Sequence, residues 1–495
     1  MNDNEINELA GAPTERAWSH YQQAIFDAIE APEGGSLLVE ALAGTGKTTT
    51  ICEAVDRVPG TQTVLVTAFN KAIAEELRGR LPGDVVVKTW HAFGYSNLPG
   101  RRLEQLKRGE KNYMLQLLDK QAARAAARGQ RRWLQDRRAR ALILKLTGIG
   151  KQAIFELAQL RNAEQLPSLL DGLADACDLM FPKMLPRLHM CDDAAEMLLA
   201  CWEHLRDPKA PITFDDMLWA PLVLELPIAQ FDWVFVDEAQ DLNPIQIALM
   251  LRAVKPGGRV VAVGDPHQAI YHFRGADAAA LERVVKATHA TRLPLSISYR
   301  CPRLVVAEAQ ELVPEFCAAP GAPEGLVEHC AMADLLSDAR PGDFVISRTN
   351  APLVELALHW LAQGKPARIR GRDVGAQLAE LARELKAVTY ADFYRRLQAW
   401  AEVECLRLEE AERETGGVHE KAAILRTIAK RADSGLATAN ASESVAAECE
   451  SLFSDDSVGA IELMTAHKSK GLEARRVWIL RDTFCVYQGL SLIHI

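Results

Sequence analysis

The run from Ser36 to Thr48, SLLVEALAGTGKT, constrains this chain more than any other part of it. Ser36-Leu37-Leu38-Val39-Glu40 reads as a strand, ALAGTGKT from Ala41 to Thr48 as a glycine-containing turn, and Thr49 to Val58 as a helix. Gly44 and Gly46 let backbone amides approach phosphate oxygens. Lys47 sets a point charge between the outer phosphates, and Thr48 offers its hydroxyl to magnesium. Ala41 stands where the general pattern has its first glycine, and Ala41, Leu42, Ala43 and Thr45 complete the loop. A strand, a phosphate loop and a helix in that order predict a nucleotide site on a parallel sheet.

Further apolar runs at Thr63 to Thr67, Asp84 to Thr89, Trp233 to Val236, Arg259 to Val263 and Leu293 to Ser298 alternate with helical stretches. That rhythm implies an α/β fold, a parallel sheet covered by helices. A second set of strands is expected at Leu326 to His329, Asp343 to Arg348, Ala367 to Arg370, Ala460 to Thr465 and Arg475 to Leu480. The expected organisation is a first α/β domain over 1–98 and 208–318, interrupted by a helical, basic insertion over 99–207. A second α/β domain over 319–376 and 457–483 holds a small helical insertion over 377–456, and 484–495 remains as a tail.

At 495 residues the chain has length for three or four domains. Hydrophobic residues at 48% and charged residues at 25% exclude wholesale disorder, a collagen repeat or a disulfide miniprotein. The ten cysteines form no Cys-x-x-Cys pair, so buried free thiols are the expectation. No apolar run has the length of a membrane span and Met1 to Glu5 lacks signal-peptide character, which places the protein in the cytoplasm. The net charge is −9, yet Arg101 to Lys151 holds 15 Lys and Arg against four acids, a local +11 that leaves −20 elsewhere. Such asymmetry suggests a polyanion at one face, with a solvated helical face as the alternative.

A second carboxylate site narrows the reaction. In VFVDEAQD, Val234 to Asp241, the apolar Val234-Phe235-Val236 delivers Asp237 and Glu238 to the C-terminal edge of a buried strand, where ligands sit in open α/β sheets. Asp237 can hold magnesium while Glu238 orients an attacking water.

The remaining motifs follow in order. They are Gln22 in SHYQQAIFDAI, with Gln23 beside it as the alternative; TAFNKAIAEEL, Thr67 to Leu77; TWHAFG, Thr89 to Gly94; VGDPHQAIYHFRGAD, Val263 to Asp277; SISYRCP, Ser296 to Pro302; and LMTAHKSKGLEARRVWIL, Leu463 to Leu480. Together with the phosphate loop and DEAQD, this series resembles the UvrD/Rep-like helicases of superfamily 1. The resemblance implies two RecA-like motor domains with ATP and Mg2+ between them, and single-stranded or partly duplex DNA as partner. It implies that Gln22 reads adenine, Tyr299 stacks on it and Glu473 holds the ribose. Gln268 senses γ-phosphate and Arg300 reaches it. Thr89, His91, Tyr271, Phe273, Arg274, Thr465 and His467 contact DNA.

Phe69 stands one place later than the family's usual phenylalanine, and Phe273 replaces the usual tryptophan. The implied activity is a 3′ to 5′ DNA helicase or translocase. The alternatives are the helicase subunit of a RecB/AddA-type helicase-nuclease, or a protein that binds ATP and DNA without turnover. The family's last motif, which carries a second catalytic arginine, is not found, and FCVYQGLSLIHI, Phe484 to Ile495, fits no family pattern. A truncated chain with a non-native tail is therefore expected.

Overall fold

Strands that are apolar on both faces need helices on both sides, and the first sheet is built that way. The computed structural model describes residues 17–98, 100–101, 103, 112–128, 131–162, 164–177, 179, 181, 186–269, 279–410, 415–433, 440–453 and 459–484. Strands β1 (Leu37–Ala41), β2 (Val64–Ala68), β3 (Val86–Thr89), β4 (Phe231–Val236), β5 (Val254–Gly264) and β6 (Thr291–Leu295) form one sheet in the order β3-β2-β4-β5-β1-β6. Every pairing is parallel. Leu65 and Val66 are neighbours on β2 that point to opposite faces, and both are fully buried.

Because all six strands run the same way, their C-terminal ends share one edge. Helix α1 (His20–Glu30) precedes the sheet, α2 (Lys47–Asp56) follows β1, and α3 (Lys71–Arg80) and α4 (Trp90–Ser96) follow β2 and β3. The expected helix from Thr49 thus starts at Lys47, directly on the phosphate loop. Between β3 and β4 run α5 (Tyr113–Ala127), α6 (Arg137–Ala153), α7 (Leu157–Arg161), α8 (Leu166–Ala176), α9 (Arg187–Leu205) and α10 (Asp216–Val223). Helices α11 (Pro244–Ala253) and α12 (Ala280–Thr288) flank β5. After β6, a small parallel pair, β7 (Ile297–Ser298) and β8 (Cys317–Ala318), encloses α13 (Arg303–Ala309).

These elements make one compact unit, up to Val327; a second begins at Glu328. The second holds a four-stranded parallel sheet, β10-β11-β9-β12, from β9 (Phe344–Ser347), β10 (Ala367–Ile369), β11 (Ile461–Thr465) and β12 (Val477–Ile479). Its helices are α14 (Met332–Asp338), α15 (Ala351–Ala362), α16 (Arg372–Glu384), α17 (Tyr390–Glu410), α18 (Gly416–Asp433), α19 (Ala441–Leu452) and α20 (Ala466–Ser469). Val345 and Leu463 from the strands share one core with Trp360, Phe393, Leu425 and Val445 from the helices. The strand expected at Leu326 to His329 is not formed: among the described residues they pair with no strand, and Leu326 is 69% exposed, so no ladder or buried face there holds them extended. The expected tail, apart from Phe484, lies outside the described residues.

Candidate nucleotide site and the adjoining sheet edge

Gly44 and Gly46 have φ of +69° and +83°, the left-handed region that glycine enters without a Cβ penalty. Gly46 is the N-cap of α2 and no side chain caps that helix, so its first amides face outward as an anion site. A Cβ on Gly44 would lie 2.5 Å from Arg300 Cβ and 2.8 Å from Ser298 Oγ. The Tyr299 amide donates to the Gly44 carbonyl at 2.9 Å. The SISYRCP segment therefore lies directly on the phosphate loop, with Tyr299 and Arg300 both exposed beside it. The open turn, the uncapped helix and the nearby cations fit a nucleotide's phosphate chain.

Lys47 Nζ donates to the Ala41 carbonyl at 2.9 Å and the Leu42 carbonyl at 3.3 Å, and lies 3.9 Å from Asp265 Oδ2. Thr45 is buried, its hydroxyl donating to the Leu42 carbonyl at 2.8 Å, which braces the turn from inside. Ala43 and Thr48 are half-buried, Thr48 in the first turn of α2. Gln22 is buried: its carboxamide oxygen accepts from the Ser19 amide at 3.1 Å, and its nitrogen donates to Thr50 Oγ1 at 3.1 Å. Gln23 is exposed and bonded to Asp27, so of the two it is Gln22 that lies under the loop.

Asp237 and Glu238 directly follow β4, and Glu238 adopts φ +53°. Burial, and then the neighbouring Glu238 charge, push the Asp237 carboxyl up to about 7. A carboxylate raised above its unfolded value near 4 makes stability fall as pH rises from about 4 to about 7, and leaves it level above that. Asp237→Asn is therefore expected to raise the thermal midpoint of the nucleotide-free protein at pH 8, with the gain shrinking towards pH 4. Thermal unfolding across that range checks it; a pH-independent difference would contradict the cause.

Two residues given no role in the sequence reading connect this edge. Gln240 donates to Glu238 Oε2 and accepts from the Asp265 amide at 3.0 Å. Asp265 in turn accepts from the Gln268 side-chain nitrogen at 2.6 Å and from the His267 amide at 3.0 Å. Glu238, Gln240, Asp265 and Gln268 thus form one hydrogen-bonded chain beside Lys47. The signal for Gln240 was its place inside DEAQD.

Further along the same edge, the Thr89 hydroxyl caps α4 by accepting from the Ala92 amide at 3.2 Å. Burial lowers the pKa of His91, whose ring lies 5.2 Å from that of Phe214. Phe214 is 60% exposed, which the sequence reading did not foresee because exposure of an aromatic is set by its neighbours. Phe69 is also exposed. Tyr271, Phe273 and Arg274 lie outside the described residues. Thr465, His467 and Glu473 belong to the second unit; Thr465 ends β11, burial and then Arg348 lower the pKa of His467, and Glu473 is exposed.

The parallel sheet, the left-handed phosphate loop after β1 and the paired acids just after β4 define the class, a RecA-like P-loop α/β domain. Residues 21–289 match the model of the UvrD/REP helicase N-terminal domain, more than half of the chain, and the protein belongs to that family. It is 27% identical over 269 residues to F-box DNA helicase 1 of Gallus gallus, covering 52% of this chain and 24% of that one. It is 27% identical over 349 residues to RecBCD enzyme subunit RecB of Mycobacterium tuberculosis (strain ATCC 25618 / H37Rv), covering 57% and 30%. With DNA helicase II of Escherichia coli (strain K12) it shares 25% over 313 residues, covering 58% and 39%. The chain thus spans well under half the length of these relatives.

Proposed function

We propose that this protein is an ATP-dependent DNA helicase or single-strand translocase of 3′ to 5′ polarity, working in the cytoplasm in DNA repair, replication or recombination. The observation that carries the reading is the hydrogen-bonded chain from Glu238 through Gln240 and Asp265 to Gln268. It joins the acid pair after β4 to Gln268, beside Lys47 and three positions before Tyr271 in the sequence. Bound ATP would supply the phosphoryl group passed to water, with adenosine diphosphate as the leaving group, and Mg2+ would neutralise charge on the phosphates. Lys47 would neutralise the outer phosphates, Thr48 and Asp237 would hold the metal, Glu238 would orient water, Gln268 would sense the γ-phosphate and Arg300 would stabilise its charge. Gln22 and Tyr299 take the base and Glu473 the ribose. Thr89, His91, Phe214, Tyr271, Phe273, Arg274, Thr465 and His467 take single-stranded DNA.

Hydrolysis measured with and without oligo(dT), and unwinding of duplexes carrying a 3′ or a 5′ tail, test this. Stimulation by oligo(dT) and unwinding from the 3′ tail alone are expected; unwinding from the 5′ tail would overturn the polarity, and unstimulated hydrolysis the motor.

Among the described residues of the basic stretch, two sets of cations differ in their surroundings. Arg101 donates to the Leu205 and Asp207 carbonyls, Arg131 pairs with Asp193 and Glu196, Arg140 with Asp119, and Lys151 with Asp216. Those four cations are structural. Lys120, Arg124 and Arg128 are exposed at four-residue spacing, one stripe along and just past α5. Changing these three to glutamate is expected to weaken binding alike for all sequences. The slope of log K against log salt should flatten by roughly 0.7 for each lost contact to a single strand. Unchanged slopes in a salt titration would return the stripe to a solvated face.

A further inference from the structure

Lys151 has no exposed surface, and its ammonium lies where three helices meet. Nζ donates to Asp216 Oδ1 at 2.7 Å and to the Tyr113 hydroxyl at 2.7 Å, and that hydroxyl donates to Asp216 Oδ2 at 2.7 Å. The Thr213 amide and hydroxyl also donate to Asp216 Oδ2, at 2.8 and 2.7 Å. The Tyr113 and Trp219 rings lie 5.2 and 5.3 Å from Nζ, closing it off from water. Tyr113 begins α5, Lys151 lies in the last turn of α6 and Asp216 begins α10, so one ion pair pins the helical insertion to α10.

Helix α10 passes that constraint on. A Cβ on Gly94 would lie 2.1 Å from the Met217 carbonyl oxygen, so α4 and α10 touch backbone to backbone and cannot slide independently. His91 is on α4, and its ring meets Phe214, two residues before Asp216, at 5.2 Å. A fully buried ion pair is a poor source of stability, because desolvation offsets its attraction and neutral residues of similar volume often serve as well. What it supplies is one fixed geometry.

We propose that Lys151 and Asp216 are positioning residues for single-stranded DNA, locking the insertion to α10 so that His91 and Phe214 are held together as one contact surface. This rests on the reading of that surface as DNA-facing. Neither residue reaches DNA itself. Lys151 acts through Asp216 and α10, in contrast to the exposed stripe at Lys120, Arg124 and Arg128.

The test uses the full chain with Lys151→Met and Asp216→Asn together, which removes both charges and leaves neither unpaired. Affinity for oligo(dT) is read by fluorescence anisotropy over a range of salt, beside MgATP affinity and thermal unfolding. The expected result is an unfolding midpoint close to the parent's, unchanged MgATP affinity, oligo(dT) binding weakened about tenfold, and an unchanged salt slope. Gly94→Ala keeps the ion pair but pushes α4 off α10; its unfolding midpoint should fall, and the folded protein should keep its MgATP affinity while binding oligo(dT) more weakly. A folded variant of either kind with the parent's oligo(dT) affinity overturns the proposal. So does a flattened salt slope in the double variant, which would make Lys151 a direct phosphate contact. A parent protein that fails to bind oligo(dT) overturns the DNA reading itself and this inference with it.

Discussion

Lys47→Ala is expected to lower ATP hydrolysis by about a thousandfold or more, the scale on which positioned charges act at a transferring phosphoryl group. The Lys47 ammonium is held by the Ala41 and Leu42 carbonyls and lies 3.9 Å from Asp265, so it is placed before any ligand arrives. Alanine leaves the loop backbone intact, because Thr45 braces the turn independently through the Leu42 carbonyl. Oligo(dT) binding should therefore survive. Steady-state hydrolysis with saturating oligo(dT) measures the effect, and a parental rate would show that this loop is not the motor site.

Glu238→Gln is expected to slow hydrolysis by roughly 10²- to 10⁴-fold while leaving MgATP affinity near the parent's. The carboxylate that orients water is lost, whereas Asp237 remains for the metal. Gln240, which donates to Glu238 Oε2, can still donate to a carboxamide oxygen, so the chain to Asp265 and Gln268 should persist. Equilibrium binding of a fluorescent ATP analogue beside turnover separates the two effects. A loss of affinity as large as the loss of turnover would contradict separate roles for Asp237 and Glu238.

The parts of the site that were legible in sequence are those whose chemistry is local. Left-handed φ at Gly44 and Gly46 is demanded within a few bonds, and Asp237 follows a strand whose apolar residues announce a buried position. Gln240 was visible inside DEAQD, but its part in joining Glu238 to Asp265 depends on β5 ending beside β4. The placement of Tyr299 and Arg300 on the phosphate loop likewise required β6 to pair with β1, although more than 250 residues separate the segments.

The basic stretch is a case where sequence leaves two outcomes open, a polyanion-binding face or a solvated one. The +11 between Arg101 and Lys151 pointed to one polyanion-binding face, and the fold spends Arg101, Arg131, Arg140 and Lys151 on internal carbonyls and carboxylates. Sequence carries the number of cations; only packing decides which of them face water. The strand expected at Leu326 to His329 failed for a related reason, since an apolar run becomes a strand when a neighbour offers it a ladder, and none does.

The sequence by itself determined the parallel α/β architecture, the phosphate loop, the acid pair and the ordered motifs of the UvrD/REP family, because each is written in periodicity or in residue types at short spacing. Tertiary structure alone decided that Lys151 is buried against Asp216, that Phe214 is exposed beside His91, and that Gly94 brings α4 onto α10. Those outcomes depend on which helix faces meet, and a side chain's burial, partner and protonation follow from the surface brought against it rather than from its neighbours in the chain.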